Sequence, residues 1–269
     1  MSSQPESVAV ITGAASGIGA GLARHAAARG MTVILADRDA TRLDEVAREI
    51  GALAIEVPTD VADPSALEAL AERAFAAGPI DLLFNNAGVL TTGLSWEIPA
   101  DKWRQAVEVN VLGMVNGLRA FVPRLIAANR PARIVNTASV GGFLPSPLMA
   151  PYSATKFAVV ALTESLAGEL AMQDSQVKVS LLAPGPVKSA IFREDAGAAS
   201  REFVGTMRSM LDAHGIGPDA FAARVFAGID RGDYWIIPQP ETFDDGFRAR
   251  NDAITARTAP QFYLVGTDR

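Results

Sequence analysis

The sequence contains no cysteine and only two histidines, His25 and His214, among its 269 residues. The missing cysteines exclude disulfides, thiolate nucleophiles and Cys-ligated zinc or iron–sulfur sites. Two histidines make a multi-histidine metal site unexpected, so we predict no metal, and a Ser–His–Asp triad would have to use one of the two. A chain near 300 residues buries about 75% of the surface that its unfolded form exposes, so its core needs no covalent or metal staple.

Long apolar runs and clusters of basic residues are also missing. The 24 Lys and Arg residues are outnumbered by 30 Asp and Glu residues, which gives a net charge of −6 and a pI near 5.0. No basic run could follow a phosphate backbone, so we expect no nucleic-acid partner. Apolar residues make up 49% of the chain, but no run approaches the ~18 residues of a membrane span. The first residues are polar and unlike a signal peptide. We expect a soluble, cytoplasmic protein without a membrane partner.

Short apolar, β-rich runs alternate with longer segments of helical periodicity. This alternation is typical of βαβ units and of a parallel sheet covered by helices on both faces. Two long helical stretches are expected, at about Ala100–Ala128 and Ala150–Met172. No linker rich in Pro, Gly or Ser divides the chain, so we predict one α/β domain over residues 1–269, doubly wound around a seven-stranded parallel sheet. The predicted strands are Val8–Thr12, Thr32–Asp37, Ala54–Val57, Leu82–Asn85, Arg133–Ser139, Lys178–Ala183 and Tyr234–Ile237.

A glycine-rich segment, Thr12-Gly-Ala-Ala-Ser-Gly-Ile-Gly19, joins the first predicted strand to the first predicted helix. Gly13, Gly17 and Gly19 allow the backbone to turn sharply and approach a pyrophosphate, and the helix N terminus offers N–H groups to it. A tight turn without a ligand is the alternative for any glycine cluster. The position between strand and helix favours dinucleotide binding. The spacing, Gly-x-x-x-Gly-x-Gly, differs from the common Gly-x-Gly-x-x-Gly fingerprint.

Acidic residues follow the second and third predicted strands. Asp37 ends the second strand, 18 residues after Gly19, close to the ~20 at which a carboxylate meets the adenosine ribose hydroxyls. Its charge would repel a 2′-phosphate, which favours NAD, but Arg38 could accept that phosphate and keeps NADP open. An ordinary strand-end carboxylate is the alternative interpretation of Asp37. Asp60 and Val61, just after the third strand, are placed to border an adenine ring.

A serine, a tyrosine and a lysine form the candidate catalytic set. Tyr152 and Lys156 are four residues apart in a helical stretch and so share one face. An isolated Tyr-x-x-x-Lys match usually means an aromatic residue beside a surface lysine, but here Ser139 ends a strand, where parallel sheets present ligand-binding side chains. Lowering the pKa of a phenol from ~10 to near 7 needs about 4 kcal/mol. The Lys156 ammonium and an oxidised nicotinamide could supply it.

With Asn85-Asn-Ala-Gly88, Asn110 and Pro184-Gly185, these motifs occur in an order and with separations that resemble the short-chain dehydrogenase/reductase family. The resemblance spans essentially the whole chain. It implies a single Rossmann-type domain, an NAD(P)-dependent oxidoreductase, and a homotetramer or homodimer that associates through the two long helical stretches.

The resemblance also implies roles for individual residues. Tyr152 would exchange a proton with the substrate alcohol, Ser139 would hold the substrate oxygen, Lys156 would hold the nicotinamide ribose, and Asn110 would position a water beside Lys156. Ser189 stands where the family commonly has a threonine that contacts the nicotinamide carboxamide. The expected cofactor-binding residues are Gly13, Ser16, Gly17, Ile18, Gly19, Asp37, Arg38, Asp60, Val61, Asn86, Ala87, Gly88, Tyr152, Lys156, Pro184, Gly185, Val187 and Ser189.

Residues 190–217 fall where the family keeps a substrate lid. This segment has an apolar helical face, which either closes over a substrate or packs on the protein body. Phe143, Leu144 and Met149, between Ser139 and Tyr152, are also apolar, and few charged residues occur near them. We therefore predict a secondary alcohol or ketone with an apolar or aromatic body as substrate. The apolar helical face within residues 190–217 consists of Phe203, Val204, Met207, Met210 and Leu211.

Three functions are compatible with these features. The leading one is an NAD-dependent dehydrogenase of secondary alcohols, acting in reverse as a ketone reductase. Arg38 keeps open an NADPH-dependent carbonyl or ketoacyl reductase. A non-catalytic dinucleotide-binding regulator belongs to a different class, and the presence of Asn110, Ser139, Tyr152 and Lys156 together favours an enzyme over it.

Overall fold

The computed structural model describes residues 7–189, 191–192, 198–260 and 262. In these residues the chain forms seven parallel strands and nine α-helices, which confirms the predicted doubly wound, Rossmann-type α/β fold. The strands are β1 (Val8–Thr12), β2 (Thr32–Asp37), β3 (Ala54–Pro58), β4 (Ile80–Asn85), β5 (Ala132–Thr137), β6 (Val177–Leu182) and β7 (Trp235–Ile236). The helices are α1 (Gly17–Ala28), α2 (Ala40–Ile50), α3 (Pro64–Ala77), α4 (Ala100–Val107), α5 (Gly113–Ala127), α6 (Ala150–Met172), α7 (Ala198–His214), α8 (Pro218–Arg231) and α9 (Asp244–Ala256).

The order of the strands across the sheet is β3-β2-β1-β4-β5-β6-β7. All five residues of β1 are buried, because this apolar strand has helices on both of its faces and a strand on each side. The direction of winding reverses between β1 and β4. Ligands of open α/β sheets bind beyond the carboxyl ends of the strands at such a reversal, so we expect the binding crevice at the ends of β1 and β4.

Two large apolar cores and one smaller cluster hold the helices against the sheet. One contains Leu22 of α1, Leu43 of α2 and Phe226 of α8, all fully buried or nearly so. The other lies on the opposite face and contains residues of α3, α5 and α6, among them Leu70 and Phe121. Burial of these side chains is the main favourable contribution to folding.

Several predicted boundaries are shifted by one or two residues, and two of the differences concern the site. The fifth strand was expected to reach Ser139 but ends at Thr137, because Ser139 starts a 3₁₀ turn over Val140–Gly142 and accepts a hydrogen bond from it. The stretch at 100–128 is divided by one turn of π-helix, Glu108–Leu112, which separates α4 from α5. The second predicted stretch coincides with α6.

The last described helix, α9, is attached mainly at its first turns. No residue of α9 is buried. Phe247 packs on Phe143 with 4.7 Å between ring centroids, and the Arg250 guanidinium lies 5.2 Å from the centre of the Phe157 ring. Phe243, just before the helix, is buried. In the described part of the chain, no helix is both long and apolar enough to cross a membrane.

Candidate active site

The glycine-rich turn is fixed in a shape that only glycine permits at several positions. Gly13 has φ +70° and Gly17 has φ +53°, both in the left-handed region. A Cβ on Gly19 would lie 2.0 Å from the Gly13 carbonyl oxygen, so the strand end and the start of α1 touch through backbone atoms. Ser16 is the exposed N-cap residue of α1. The turn therefore brings a helix N terminus to the end of β1, where it can bind a phosphate.

The hydroxyl of Thr12 connects this turn to the end of β4. It donates to the Phe84 carbonyl at 3.2 Å and accepts from the N–H groups of Asn86 and Ala87 at 2.9 and 3.1 Å. The Asn86 side chain returns a bond to the Thr12 carbonyl at 3.0 Å. Sequence reasoning assigned no role to Thr12, although a hydroxyl at the last strand position before the glycines was a usable signal. These hydrogen bonds thus hold the glycine-rich turn after β1 and the loop after β4 against each other.

Asp37 lies beside the glycine-rich turn. Its carboxylate accepts from the N–H of Ala15 at 3.1 Å and from the N–H of Asp39 at 3.0 Å. Arg38, the next residue, is exposed. An acidic group therefore stands at the end of β2, next to the turn, where the sequence placed it.

The other predicted adenine-side residues lie one strand further out. The Asp60 carboxylate accepts from the N–H of Ala62 at 2.9 Å and so closes the turn after β3. Val61 is buried, and its carbonyl accepts from the Asn116 side chain at 3.0 Å. A Cβ on Gly113 would come within 2.7 Å of Val61, so this residue packs against the start of α5.

Ser139, Tyr152 and Lys156 come together in a buried cluster. Each is between 4% and 8% exposed. A Cβ on Gly141 would lie 3.3 Å from the Tyr152 ring and 3.7 Å from the Ser139 oxygen, so these two side chains are neighbours. The Ser139 oxygen accepts from the N–H of Gly141 at 3.1 Å. The Lys156 amine donates to the Thr137 carbonyl at 2.8 Å and lies 5.7 Å from the centre of the Tyr152 ring. The structure therefore joins all three residues that the sequence singled out.

Burial changes the acidity of two of these groups. It raises the pKa of Tyr152 above its ordinary value of 10.0, and the neighbouring Ser139 side chain lowers this pKa by less. Burial also lowers the pKa of the Lys156 amine from 10.5 to about 8. Both shifts have the same cause, since a group removed from water is less stable in its charged form. Burial therefore opposes the lower Tyr152 pKa for which the sequence analysis invoked both Lys156 and an oxidised nicotinamide.

Asn110 sits in the middle of the π turn and is 2% exposed. Its amide oxygen accepts from the N–H of Val89 at 2.8 Å, and its amide nitrogen donates to the Val89 carbonyl at 2.9 Å and to the Thr155 hydroxyl at 3.0 Å. A Cβ on Gly88 would lie 3.3 Å from the Asn110 oxygen and 3.5 Å from the Lys156 nitrogen. Glycine at position 88 therefore lets the loop after β4 pass between these two side chains. Thr155, inside the Tyr-x-x-x-Lys motif, received no role from the sequence.

The segment after β6 completes the crevice. The Pro184 carbonyl accepts from the N–H of Val140 at 3.0 Å. Gly185 comes next, and buried Val187 pairs with Ile216 in a β-bridge. A Cβ on Gly17 would lie 3.1 Å from the Cβ of Ser189, which places Ser189 against the glycine-rich turn.

The predicted lid falls partly outside the described residues, at 190 and 193–197. Its described part contains α7, which buries Val204, Met207 and Leu211 and leaves Phe203 and Met210 partly exposed. The apolar face expected from the sequence therefore exists, and three of its five residues are buried.

Comparisons with known proteins agree with this geometry. The family model described as short chain dehydrogenase matches residues 7–199, well over half of the chain. A 1-deoxy-11-beta-hydroxypentalenate dehydrogenase of Streptomyces exfoliatus is 43% identical over 185 residues, 66% of this chain. The match also spans 66% of that relative, just under two thirds of its length.

Two solved structures are similar over most of the chain. A short-chain dehydrogenase/reductase from Burkholderia phymatum, in complex with NAD, is 35% identical with a TM-score of 0.90 and covers 98% of this chain and 99% of its own. A metagenomic short-chain oxidoreductase in complex with NADP is 39% identical with a TM-score of 0.63, over 69% of this chain and 85% of its own. The chain belongs to the short-chain dehydrogenase family of oxidoreductases.

Proposed function

We propose that this protein is an NAD-dependent dehydrogenase that oxidises a secondary alcohol to a ketone and catalyses the reverse reduction. The observation that carries the proposal is the buried cluster of Ser139, Tyr152 and Lys156, in which the Lys156 amine lies 5.7 Å from the centre of the tyrosine ring. A phenol held in this way, at the carboxyl end of the sheet, is suited to exchange a proton with a substrate oxygen. The comparisons do not favour a non-catalytic regulator.

Each catalytic residue has a task that its contacts support. The Ser139 oxygen accepts from Gly141, which leaves its own proton for the Tyr152 oxygen or a substrate oxygen. Tyr152 takes the alcohol proton during oxidation and returns it during reduction. Lys156, with a pKa of about 8, is mostly protonated at neutral pH. Its positive charge favours the tyrosinate against the opposing effect of burial. Asn110 holds the loop after β4 beside Lys156.

The crevice fits a nicotinamide dinucleotide. The glycine-rich turn offers a helix N terminus to the pyrophosphate, and Gly13 and Gly19 approach so closely that no side chain could stand between them. Ser189, in the segment after β6, lies against this turn at Gly17. We assign Pro184, Gly185 and Val187 of the same segment to the cofactor as well. When bound, the nicotinamide supplies the acceptor for the hydride that leaves the carbinol carbon. The Asp37 carboxylate favours NAD over NADP, because it would repel a 2′-phosphate.

An apolar wall supports a substrate with an apolar or aromatic body. The 3₁₀ turn after Ser139 leads into Phe143 and Leu144, and α9 covers both residues. Phe247 contacts the Phe143 ring, and a Cβ on Gly246 would lie 2.9 Å from Leu144. Apolar contacts of this kind suit a hydrophobic ligand, whereas a sugar phosphate needs cationic partners.

Exposed apolar side chains support a homo-oligomer. Val107 and Leu112, at the end of α4 and in the π turn, are 41% and 47% exposed, and Met172 ends α6 with 86% exposure. These positions lie on the two long helical stretches that the resemblance singles out for association, either as a dimer or as a tetramer. Sedimentation of the purified protein measures which assembly forms. The cytoplasmic location stays a prediction.

The decisive test is replacement of the Tyr152 phenol. We expect Tyr152→Phe to lower turnover by at least about 10²-fold, the lower end of what general acid–base catalysis contributes. The assay follows nicotinamide reduction with aliphatic, aromatic and polycyclic secondary alcohols, and the reverse reaction with the matching ketones, each with NAD and NADP.

Tyr234 offers a matched control. Its hydroxyl is buried and, within the described residues, has no hydrogen-bond partner, so Tyr234→Phe removes the same atom without loss of a contact and should retain activity. Binding of NADH to Tyr152→Phe, followed by fluorescence, shows whether the crevice is intact. Wild-type turnover in Tyr152→Phe would disprove the proposed role, and a wild-type protein that binds NAD but turns over no substrate would favour the regulator.

A further inference from the structure

Thr155 makes two buried hydrogen bonds between residues of the proposed catalytic set. Its hydroxyl donates to the Tyr152 carbonyl at 2.8 Å, one turn earlier in α6. The same oxygen accepts from the Asn110 side-chain nitrogen at 3.0 Å. Thr155 is 3% exposed, so both bonds lie away from water. No sequence motif assigned a role to this hydroxyl.

Asn110 uses its remaining hydrogen-bonding atoms on one residue of the loop after β4. Both the N–H and the carbonyl of Val89 pair with the Asn110 amide. The Thr155 bond therefore connects three elements, namely this loop, the π turn and α6. Lys156 follows Thr155 directly, and Gly88 of the loop lies between Asn110 and the Lys156 amine.

We infer that Thr155 is a positioning residue, whose hydroxyl fixes the Asn110 side chain to α6 and thereby sets where the loop and the π turn stand relative to Lys156 and Tyr152. The inference rests on the proposed function, since it concerns the surroundings of the proton-exchanging groups. Without the hydroxyl, the Asn110 N–H loses its buried partner, a change that costs free energy unless the side chain moves. Movement of Asn110 releases Val89 and alters the surroundings of the Lys156 amine.

Thr163 provides a control of the same chemistry in the same helix. Its hydroxyl donates to the Val159 carbonyl at 2.7 Å and accepts from the Asn136 side-chain nitrogen at 3.1 Å. It is fully buried, two turns further along α6, and bonded to the middle of the sheet rather than to the π turn. Loss of either hydroxyl removes two comparable buried bonds, so a merely structural role predicts the same outcome for both.

The experiment compares Thr155→Val, Thr155→Ser and Thr163→Val by steady-state kinetics over the pH range in which Tyr152 and Lys156 titrate. We expect Thr155→Val to lower kcat about tenfold, equivalent to about 1.4 kcal/mol in the barrier, with a smaller change in KM for the cofactor. The apparent pKa of the kcat profile should also move. Thr155→Ser should restore both kcat and its pH profile. Thr163→Val should lower the urea concentration at the midpoint of unfolding without moving the pH profile of kcat.

Several outcomes would overturn this inference. A wild-type kcat and pH profile in Thr155→Val would do so, and so would equal behaviour of the two valine variants. If Thr155→Val does not fold, Thr155→Ala removes the same hydroxyl with the residue that helices tolerate best, and the same criteria apply. Failure of the proposed function itself is recognised separately, because Tyr152→Phe would then remain active.

Discussion

The Asp37 carboxylate has two tasks at the residue scale. It accepts hydrogen bonds from the N–H groups of Ala15 and Asp39, and under the proposed function its charge disfavours a 2′-phosphate. Asp37→Asn removes the charge and keeps one acceptor oxygen. We expect the ratio of kcat/KM for NAD to that for NADP to fall at least about tenfold, or about 1.4 kcal/mol. The ratio is measured with one alcohol and both cofactors.

Asp39→Asn is the matched control for this change. Asp39 caps α2, because its carboxylate accepts from the backbone N–H of Arg42 at 3.2 Å. Asparagine caps a helix equally well. This variant removes one negative charge two residues from Asp37 but should keep the cofactor ratio. An unchanged ratio in Asp37→Asn would contradict the assignment of cofactor preference to Asp37.

The buried Lys156 amine makes stability depend on pH. Its pKa is about 8 in the folded protein and 10.5 without burial, so between these values the unfolded chain binds more protons. The free energy of unfolding therefore rises with pH in this window. The increase is complete above pH 10.5, where the amine is neutral in both the folded and the unfolded chain. Below about pH 8 the buried charge costs roughly 3 kcal/mol, at 1.36 kcal/mol for each pKa unit.

Urea unfolding of the wild type and Lys156→Met at several pH values isolates this effect. The difference in free energy of unfolding, wild type minus variant, should increase by roughly 2–3 kcal/mol as the pH rises from about 8 to 10.5. Lys188→Met, which removes an exposed amine, should show no such trend. A constant difference between wild type and Lys156→Met would show that the amine does not change its charge there.

At the element scale, the sequence predicted both ends of all seven strands to within two residues. The seven strands are short apolar runs between turn residues, and α6 begins at Ala150 and ends at Met172 as expected. The π turn at Glu108–Leu112 was not predicted. Its apolar residues continue the helical pattern on both sides, whereas Asn110 is held by Val89 and Thr155, which are distant in the sequence. A feature fixed by tertiary contacts leaves no mark on local periodicity.

Helix α9 should be the least stable of the described helices. It buries no residue, and its contact with the body depends on Phe247 against Phe143. Local opening should therefore need less free energy than opening of α6, and hydrogen–deuterium exchange of its amides should be faster by on the order of a hundredfold. Mass spectrometry of peptides from both helices measures the difference.

Two variants of α9 test whether the Phe247 contact sets the rate of amide exchange in this helix. Phe247→Ala should increase exchange in α9 and leave α6 unchanged, whereas Ile254→Ala, at a position 57% exposed, should change neither. Strong protection of α9 in the wild type, or faster exchange in Ile254→Ala, would show that other contacts cover this helix.

At the scale of the whole molecule, one topological rule located most of the site. Side chains just beyond the carboxyl ends of parallel strands meet at one edge, and Asp37, Asn86 and Ser139 could be collected there from the sequence alone. The rule did not reveal the Lys156 bond to the Thr137 carbonyl or the bridging hydroxyls of Thr12 and Thr155. These groups act through backbone atoms and distant partners, so their positions depend on how loops pack.

The bonds of Thr12 have a consequence for the order of folding. The glycine-rich turn is complete in the sequence by residue 19, yet its anchor is Phe84, Asn86 and Ala87, more than 70 positions later. A nascent chain that has formed only β1, α1 and β2 therefore has every glycine of the motif but not the fixed turn. The chain should therefore bind a dinucleotide only after β4 has paired with β1. Cofactor affinity during folding would then report when these central strands pair, and not when the first βαβ unit forms.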